Sequence, residues 1–384
     1  MPATVCFPFV GDRIGGSHIS AALLLRNLDP ARYRPLVVLH EEGALPAFLR
    51  ECGVDYRLLR LPAYVGASSK PVEHAADIAR TAPILRRFLR RENVDIVHAQ
   101  DGRMNLTWVL PTRLAGRRFV WHQRVKYGPS RLTKLMMRVA DLVVCNSDFA
   151  AASLPDLQSA RVAVVENPFD TSLDPPSRVV ARARYLEETG TAPGARIVGF
   201  VGNLSDQKRP RLFVETAARI KQAGVAPVSF AIFGADRDGL ADTLCRQAKK
   251  MGVGRELQLM GFRHPIDCWI AACDVLLAPE VEDAFGRTLV EAMLVETPVI
   301  ASDSGGHREI IDHGRTGFLV PADDAETMVR TALVVLQHPQ RARAVAKAAR
   351  EHARRRYSVA AHAQKMMPLY DSLLGISVPA CAAV

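Results

Sequence analysis

Twelve short apolar runs, separated by longer mixed stretches, constrain the fold of this chain more than any other feature. In the first half they lie at 5–10, 35–40, 95–100, 118–123, 142–147 and 161–167. In the second half they lie at 196–203, 229–234, 257–262, 275–280, 298–303 and 316–320. Each has the length of a strand, and near-continuous hydrophobicity implies burial on both faces. Strands alternating with helical patterns build parallel sheets covered by helices on both sides, which is an α/β fold. Pro8 interrupts the first run, and the missing ladder donor predicts a bent or edge position there. At 384 residues the chain exceeds one ordinary core and fits two domains. Polar, Pro- and Gly-containing stretches at 170–176 and 189–194 mark the boundary. The expected division is 1–172, a connection at 173–195, a second domain at 196–357, and a helix-patterned tail at 358–384.

Composition removes several function classes. With 48% hydrophobic and 23% charged residues the chain is ordinary for a globular protein, and no apolar run approaches the roughly 20 residues of a membrane span. The N-terminus lacks the basic start and apolar stretch of a secretory signal, so a cytoplasmic location is expected. The seven cysteines form no Cys-x-x-Cys pair and no cluster at metal-ligand spacing, so reduced, mostly buried thiols and no metal are expected. The tail Cys381-Ala382-Ala383-Val384 has the outline of a prenylation box, but Val is not a usual last residue and no polybasic run precedes it.

The net charge of +10 is uneven: residues 1–172 hold 23 basic and 16 acidic residues, leaving 27 and 24 for the rest. A basic first half suits anionic lipid, phosphorylated substrates or nucleic acid. No nucleic-acid-binding motif is present, so a membrane surface or an anionic acceptor is expected instead. In the helix-patterned stretch 129–140, Arg131, Lys134 and Arg138 form one stripe, while Leu132, Leu135, Met136 and Val139 form another face. That pattern fits peripheral membrane contact, and equally a surface helix with its apolar face in the core. Arg86, Arg87, Arg90 and Arg91 make a second basic cluster.

The richest chemistry follows the run at 275–280. Here Asp283, Phe285, Gly286, Arg287, Thr288 and Glu291 cross a strand-to-helix junction. Glycine lets the backbone approach a ligand, and a helix start offers unpaired N–H groups to an anion. The carboxylates of Asp283 and Glu291 suit hydroxyl groups on either side of a phosphate, as in a nucleotide sugar. The run at 196–203 ends in Gly202-Asn203-Leu204, with Lys208 four residues on. Gly11, Gly15 and Gly16 lie between the first run and the first helix, where backbone N–H groups can reach a phosphate.

The spacing Asp283-Ala284-Phe285-Gly286, then Glu291-Ala292-Met293, resembles the signature of retaining glycosyltransferases of family 4. The resemblance implies a GT-B architecture: two facing Rossmann-like domains, with the last helix crossing back to the first. It implies transfer of a sugar from a UDP- or GDP-sugar to an acceptor in polysaccharide, lipopolysaccharide or glycolipid assembly. It places Lys208 on the donor diphosphate, Asp283 on the sugar and Glu291 on the ribose, as catalytic residues. Gly15, Gly16, Asn203, Phe262, Phe285, Gly286, Arg287 and Thr288 complete the donor site, and the backbone after Phe262 meets the base. No cofactor or metal is implied, since Lys208 and the helix start carry the phosphate charge.

Three positions depart from the pattern. Asp283 stands where the family has Glu, with Glu282 beside it as an alternative. Asn203 replaces an arginine that Arg209, Arg211 or Arg287 would have to supply. Gln100 stands where members often carry His. Gln100, His122 and Arg124 are the acceptor-side candidates, whereas His98 reads as a packed core histidine. Ser304-Gly305-Gly306 reads as a structural turn. Two rival readings remain at this stage, a nucleotide-sugar epimerase of the same fold and a catalytically degenerate sugar-nucleotide-binding protein.

Overall fold

The structure is a computed structural model that describes residues 1–66, 70–157, 161–172, 174–225, 227–236 and 238–376. The chain divides into two compact units, 1–170 with 358–384, and 171–357. The tail Cys381–Val384 lies outside the described residues.

Among the described residues, the first unit is built on seven strands: β1 (Ala3–Phe9), β2 (Tyr33–Leu39), β3 (Tyr56–Leu58), β4 (Ile96–Ala99), β5 (Arg118–Gln123), β6 (Leu142–Cys145) and β7 (Arg161–Val164). They lie in the order β3-β2-β1-β4-β5-β6-β7, and every pairing is parallel. The second unit has β8 (Arg196–Val201), β9 (Val228–Phe233), β10 (Leu257–Gly261), β11 (Val275–Ala278), β12 (Val299–Ser302) and β13 (Phe318–Val320). Their order is β10-β9-β8-β11-β12-β13, again all parallel. Strand order therefore reverses between β1 and β4 in one unit and between β8 and β11 in the other. Ligands of doubly wound sheets bind beyond the carboxyl ends of the strands at such reversals.

In the first core, Phe7, Leu39, Ile96, Val120 and Val144 pack with Met366, Tyr370 and Leu373 of the C-terminal helix Val359–Leu374. That helix follows the second unit in sequence yet completes the first. The buried Asp371 pins it, accepting from Tyr33 Oη at 2.5 Å and from Arg32. In the second core, Phe200, Phe213, Phe230, Leu277 and Ile300 fill one side of the sheet, and Tyr185, Ile197, Phe233 and Trp269 the other.

Three expectations need correction. β1 is not an edge but third in the sheet; Pro8 lies in its ladder with β2, opposite Val38, and beyond its ladder with β4, which covers Val5 and Cys6. The stretch 173–195 is no free connection, because it holds helix Arg178–Thr189, which belongs to the second unit. Ala181 and Tyr185 of that helix are buried, and Arg178 and Arg182 each meet Asp274 at 3.0 Å. Cysteine burial is mixed: Cys6, Cys145 and Cys273 are buried, Cys52 and Cys268 half-buried, and Cys245 exposed, all six free thiols.

Candidate active site

Within the second unit the loops after β8 and β11 converge on one buried cluster. A single helical turn, Asp206–Lys208, ends the β8 loop and aims Lys208 at the end of β11. Lys208 Nζ donates to Glu280 Oε1 at 3.1 Å and to Asp283 Oδ2 at 2.5 Å. Burial works against the ammonium, but Glu280 and Asp283 outweigh it and raise the Lys208 pKa. Burial likewise opposes ionisation of Asp283, yet the Lys208 ammonium beside it holds that carboxyl down at about 2. The cluster is thus an ionised pair with an extra carboxylate rather than a proton-sharing acid.

Exposure separates its members into two layers. The side chains of Lys208 and Asp283 are 23% and 22% exposed, whereas those of Glu280 and His307 are 1% and 0% exposed. His307 Nε2 lies 3.6 Å from Glu280 Oε1, and its Nδ1–H donates to the Ser302 carbonyl at 3.1 Å. Burial opposes a charged imidazole there, but Glu280 outweighs it and the His307 pKa is raised. Glu280, Asp283 and His307 are the one set of three ligand atoms within 4.8 Å among the described residues, and the Lys208 ammonium already sits against both carboxylates.

Local backbone fixes this geometry. Gly286 adopts φ +86° just before helix Arg287–Leu294, and a Cβ there would lie 2.9 Å from the His307 ring. Only glycine allows both the left-handed turn and that approach. The turn at 304–306 clasps the same loop: Gly306 N–H donates to the Asp283 carbonyl at 2.8 Å and Glu282 N–H to Ser304 Oγ at 3.0 Å.

Glu291 sits just over one turn into its helix and pairs with Arg287 at 3.5 Å, apart from the lysine cluster. Burial, reinforced by Asp267, pushes the Glu291 carboxyl up, while Arg287 pulls against it. Of the substitutes for the absent arginine, Arg287 is thus held by Glu291, Arg209 pairs with Asp323, and Arg211 lies 4.0 Å from Asp206. Asn203 is exposed, as is Phe262, whose ring stacks on His264. Thr288 is partly exposed in the first helical turn. The Phe285 ring is buried edge-on to Tyr357, with centroids 5.6 Å apart, so its side chain packs the loop.

Sequence reasoning passed over Glu280 and His307. An acidic residue ending an otherwise apolar strand was the available signal for Glu280. For His307 the neighbouring glycines masked it.

In the first unit, Gly15 precedes helix Gly16–Leu25, but its N–H, expected to be offered to a ligand, donates to His18 Nδ1 at 3.0 Å. Gln100, His122 and Arg124 do come together, at the ends of β4 and β5. Arg124 Nε donates to Gln100 Oε1 at 3.1 Å, and Arg124 also bonds Asn167. His122 is buried, with Nδ1 3.0 Å from His98 Nε2, and His98 Nδ1 is 2.6 Å from Tyr370 Oη. The chain Tyr370–His98–His122 therefore links the C-terminal helix to the strand ends. Burial, aided by the Arg124 charge, lowers the pKa of both imidazoles well below normal.

Family models match both units: Glycosyltransferase Family 4 over residues 14–173 and Glycosyl transferases group 1 over 182–352. The chain belongs to the family 4 type of glycosyltransferase. Among its relatives is the lipopolysaccharide core biosynthesis mannosyltransferase LpcC of Rhizobium leguminosarum bv. viciae, 29% identical over 63% of this chain and 68% of that protein. The D-inositol 3-phosphate glycosyltransferase of Corynebacterium urealyticum is 29% identical over 61% of this chain and 57% of the relative. These matches thus span between half and about two thirds of the relatives' lengths. In fold, the chain is similar to Anabaena HepE, solved with UDP and glucose, at a TM-score of 0.80 and 22% identity over 96% of this chain and all of that one. This is the GT-B architecture expected from the sequence.

Proposed function

We propose that this glycosyltransferase moves a sugar from a nucleotide-diphosphate donor, UDP- or GDP-linked, to a carbohydrate or lipid-linked acceptor with retention at the anomeric carbon. The observation that carries the reading is the Lys208–Asp283 pair, ionised and partly open, at the strand reversal of the second unit. In transfer an acceptor hydroxyl oxygen bonds to the anomeric carbon as the bond from that carbon to the diphosphate oxygen breaks, and the hydroxyl proton passes to the departing diphosphate. Lys208 bears the charge that builds on the leaving diphosphate. Asp283 accepts from a sugar hydroxyl, and Glu291, in the adjoining helix, accepts from the ribose. The names of the relatives favour acceptors of the lipopolysaccharide or phosphorylated-polyol kind.

Because a protein cation already faces the carboxylates, the reaction is read as metal-independent. UDP- or GDP-sugar should raise the melting temperature in proportion to the logarithm of its concentration. Nucleotide release with acceptor present should continue in excess chelator. Release that stops in chelator and returns with magnesium or manganese would overturn metal independence, and no shift with any nucleotide would overturn the donor reading.

The departure at Asp283 has its own consequence. Asp283 holds Lys208, while Glu282 is exposed with φ +55°. Asp283→Ala should therefore lower kcat/KM by about 100-fold, the loss of a charged hydrogen bond worth about 1.5–3 kcal/mol. Glu282→Ala should change it less than threefold. Steady-state kinetics of the two variants decide the assignment, and the reverse ranking would transfer the role to Glu282.

We further read the first unit as touching an anionic surface through helix Arg131–Val139. Met136 and Met137 turn inward, whereas Arg131 and Leu135 are exposed. The helix therefore divides its apolar residues between core and solvent, more than the bland surface-helix reading requires. Each basic residue near an anionic bilayer contributes on the order of 1 kcal/mol. Co-sedimentation with phosphatidylserine-containing vesicles should fall at least tenfold when Arg131, Lys134 and Arg138 all become Gln. Equal binding by the triple variant would reduce this helix to scaffold. Among the described residues no helix is long and apolar enough to cross a membrane.

A further inference from the structure

The buried layer of the lysine cluster has a charge problem that points to a role for two residues. Lys208 contributes one positive charge, while Glu280 and Asp283 contribute two negative charges, all within 3.1 Å of one nitrogen. Left at that, the cluster carries a net negative charge where the donor reading needs an anionic diphosphate to bind. At 4 Å and an effective dielectric near 20, two unit charges interact by about 4 kcal/mol, enough to cost several hundredfold in affinity. A fourth group must supply the balance.

We propose that Glu280 and His307 are positioning residues, the imidazolium of His307 neutralising the cluster so that Lys208 stays aimed at the donor diphosphate; this rests on the donor reading above. Three observations converge on it. His307 and Glu280 are buried, so neither touches substrate, yet both stand directly behind the two residues that are open. Glu280 Oε2 and His307 Nε2 have no hydrogen-bond partner, although Nε2 lies 3.6 Å from Oε1 of the same carboxylate. A small rotation brings those groups into a charge-assisted bond, and the unpaired state of buried polar atoms is costly. Third, Ser302 accepts from Nδ1 and Gly286 leaves room for the ring alone, so His307 has one orientation, with Nε2 toward Glu280. The charged groups facing the ring are Glu280, Asp283 and, through both, Lys208. The raised pKa of His307 agrees in direction with that surrounding charge.

Charge balance gives a test that packing alone would not pass. His307→Gln restores the net negative charge and should raise the donor KM and lower kcat/KM by about tenfold or more. Glu280→Gln added to it leaves Lys208 against Asp283 alone, a neutral pair, so the double variant should recover at least about half of that loss on a logarithmic scale. Two buried replacements that merely damaged packing would instead add. A double variant no better than His307→Gln, or a single variant with unchanged kcat/KM, overturns the proposal. Should the variants fail to fold, nitrogen NMR of the wild-type His307 ring at pH 7 decides: both nitrogens protonated supports it, a neutral ring overturns it. If Lys208→Ala itself leaves donor binding unchanged, the donor reading has failed instead.

Discussion

Between pH 7 and pH 5 the first unit should unfold while the second stays folded. Five buried histidines lie in the first unit, and each has its pKa lowered. His18, His40 and His362 sit at about 4 and His98 and His122 well below normal, with burial the leading cause throughout. Burial keeps them neutral, although the bonds of His40 and His362 to backbone carbonyls favour the charged ring. His40 Nδ1 donates to the Leu59 carbonyl and its Nε2 accepts from Trp108 Nε1 at 3.0 Å, so a proton on Nε2 breaks the latter bond. His362 Nδ1 donates to the Glu166 carbonyl at 2.6 Å. The sign follows directly. An unfolded histidine takes up a proton near pH 6.5 while these folded ones do not, so stability falls as pH drops below about 6.5. At pH 5 a group shifted from 6.5 to about 4 has lost about 2 kcal/mol, so the three at about 4 cost about 6 kcal/mol. His98 and His122 add in the same direction, against a typical domain stability of about 5–15 kcal/mol.

The second unit responds differently. The partly exposed His352 is lowered there, but His307 is raised, and a raised group keeps its stabilising contribution as pH falls. The contribution of Asp283, with its carboxyl at about 2, is lost only below about pH 4. The three tryptophans make the experiment clean, since Trp108 and Trp121 lie in the first unit and Trp269 in the second. In a Trp269→Phe variant, fluorescence should report an acid transition between pH 6 and 5. Peptides from limited proteolysis at pH 5 should map to 1–170 and not to 196–357. Simultaneous loss of both units, or a first unit stable to pH 4, would contradict the assignment.

The histidines also show what the sequence carries and what it withholds. The strands were legible because runs such as Val275–Ala278 are apolar on both faces and end at turn residues. β3 escaped because Tyr56-Arg57-Leu58 is three residues long, at the sheet edge, and mostly exposed. The helix Arg178–Thr189 read as part of a linker because Pro- and Gly-containing stretches flank it and much of it is charged, and its purpose depends on Asp274, nearly a hundred residues away. The signature around Asp283 and Glu291 was legible for the opposite reason: its spacing is local, set by one strand–loop–helix junction. Glu280 and His307 meet only because β11 and β12 are neighbours, which no local spacing encodes. His98 read correctly as core, and His122, read as an acceptor-side candidate, is its buried partner.

Replacing Lys208 by Ala should abolish transfer and weaken the second unit together, since one ammonium serves both ends. For catalysis, removing a preorganised group that meets developing charge costs about 100- to 1,000-fold in kcat. For stability, the loss is that of one partner of a buried ion pair, about 3–5 kcal/mol, because Glu280 and Asp283 would then face each other with only His307 to oppose two negative charges. Part of that is visible in linkage: lowering Asp283 from 3.8 to about 2 contributes about 2 kcal/mol at pH 7, most of it through Lys208. The variant should therefore also lose the acid-sensitive step of the second unit between about pH 4 and 2, because Asp283 no longer ionises early. Lys208→Met keeps the aliphatic stem and separates the effects, restoring packing but not charge. Both variants should show near-zero turnover at temperatures where calorimetry shows them folded. Donor affinity measured by titration calorimetry should fall with them, since the ammonium meets the diphosphate in the ground state as well. Turnover within threefold of wild type in folded Lys208→Ala would remove this residue from the reaction and, with it, the diphosphate from this end of the sheet.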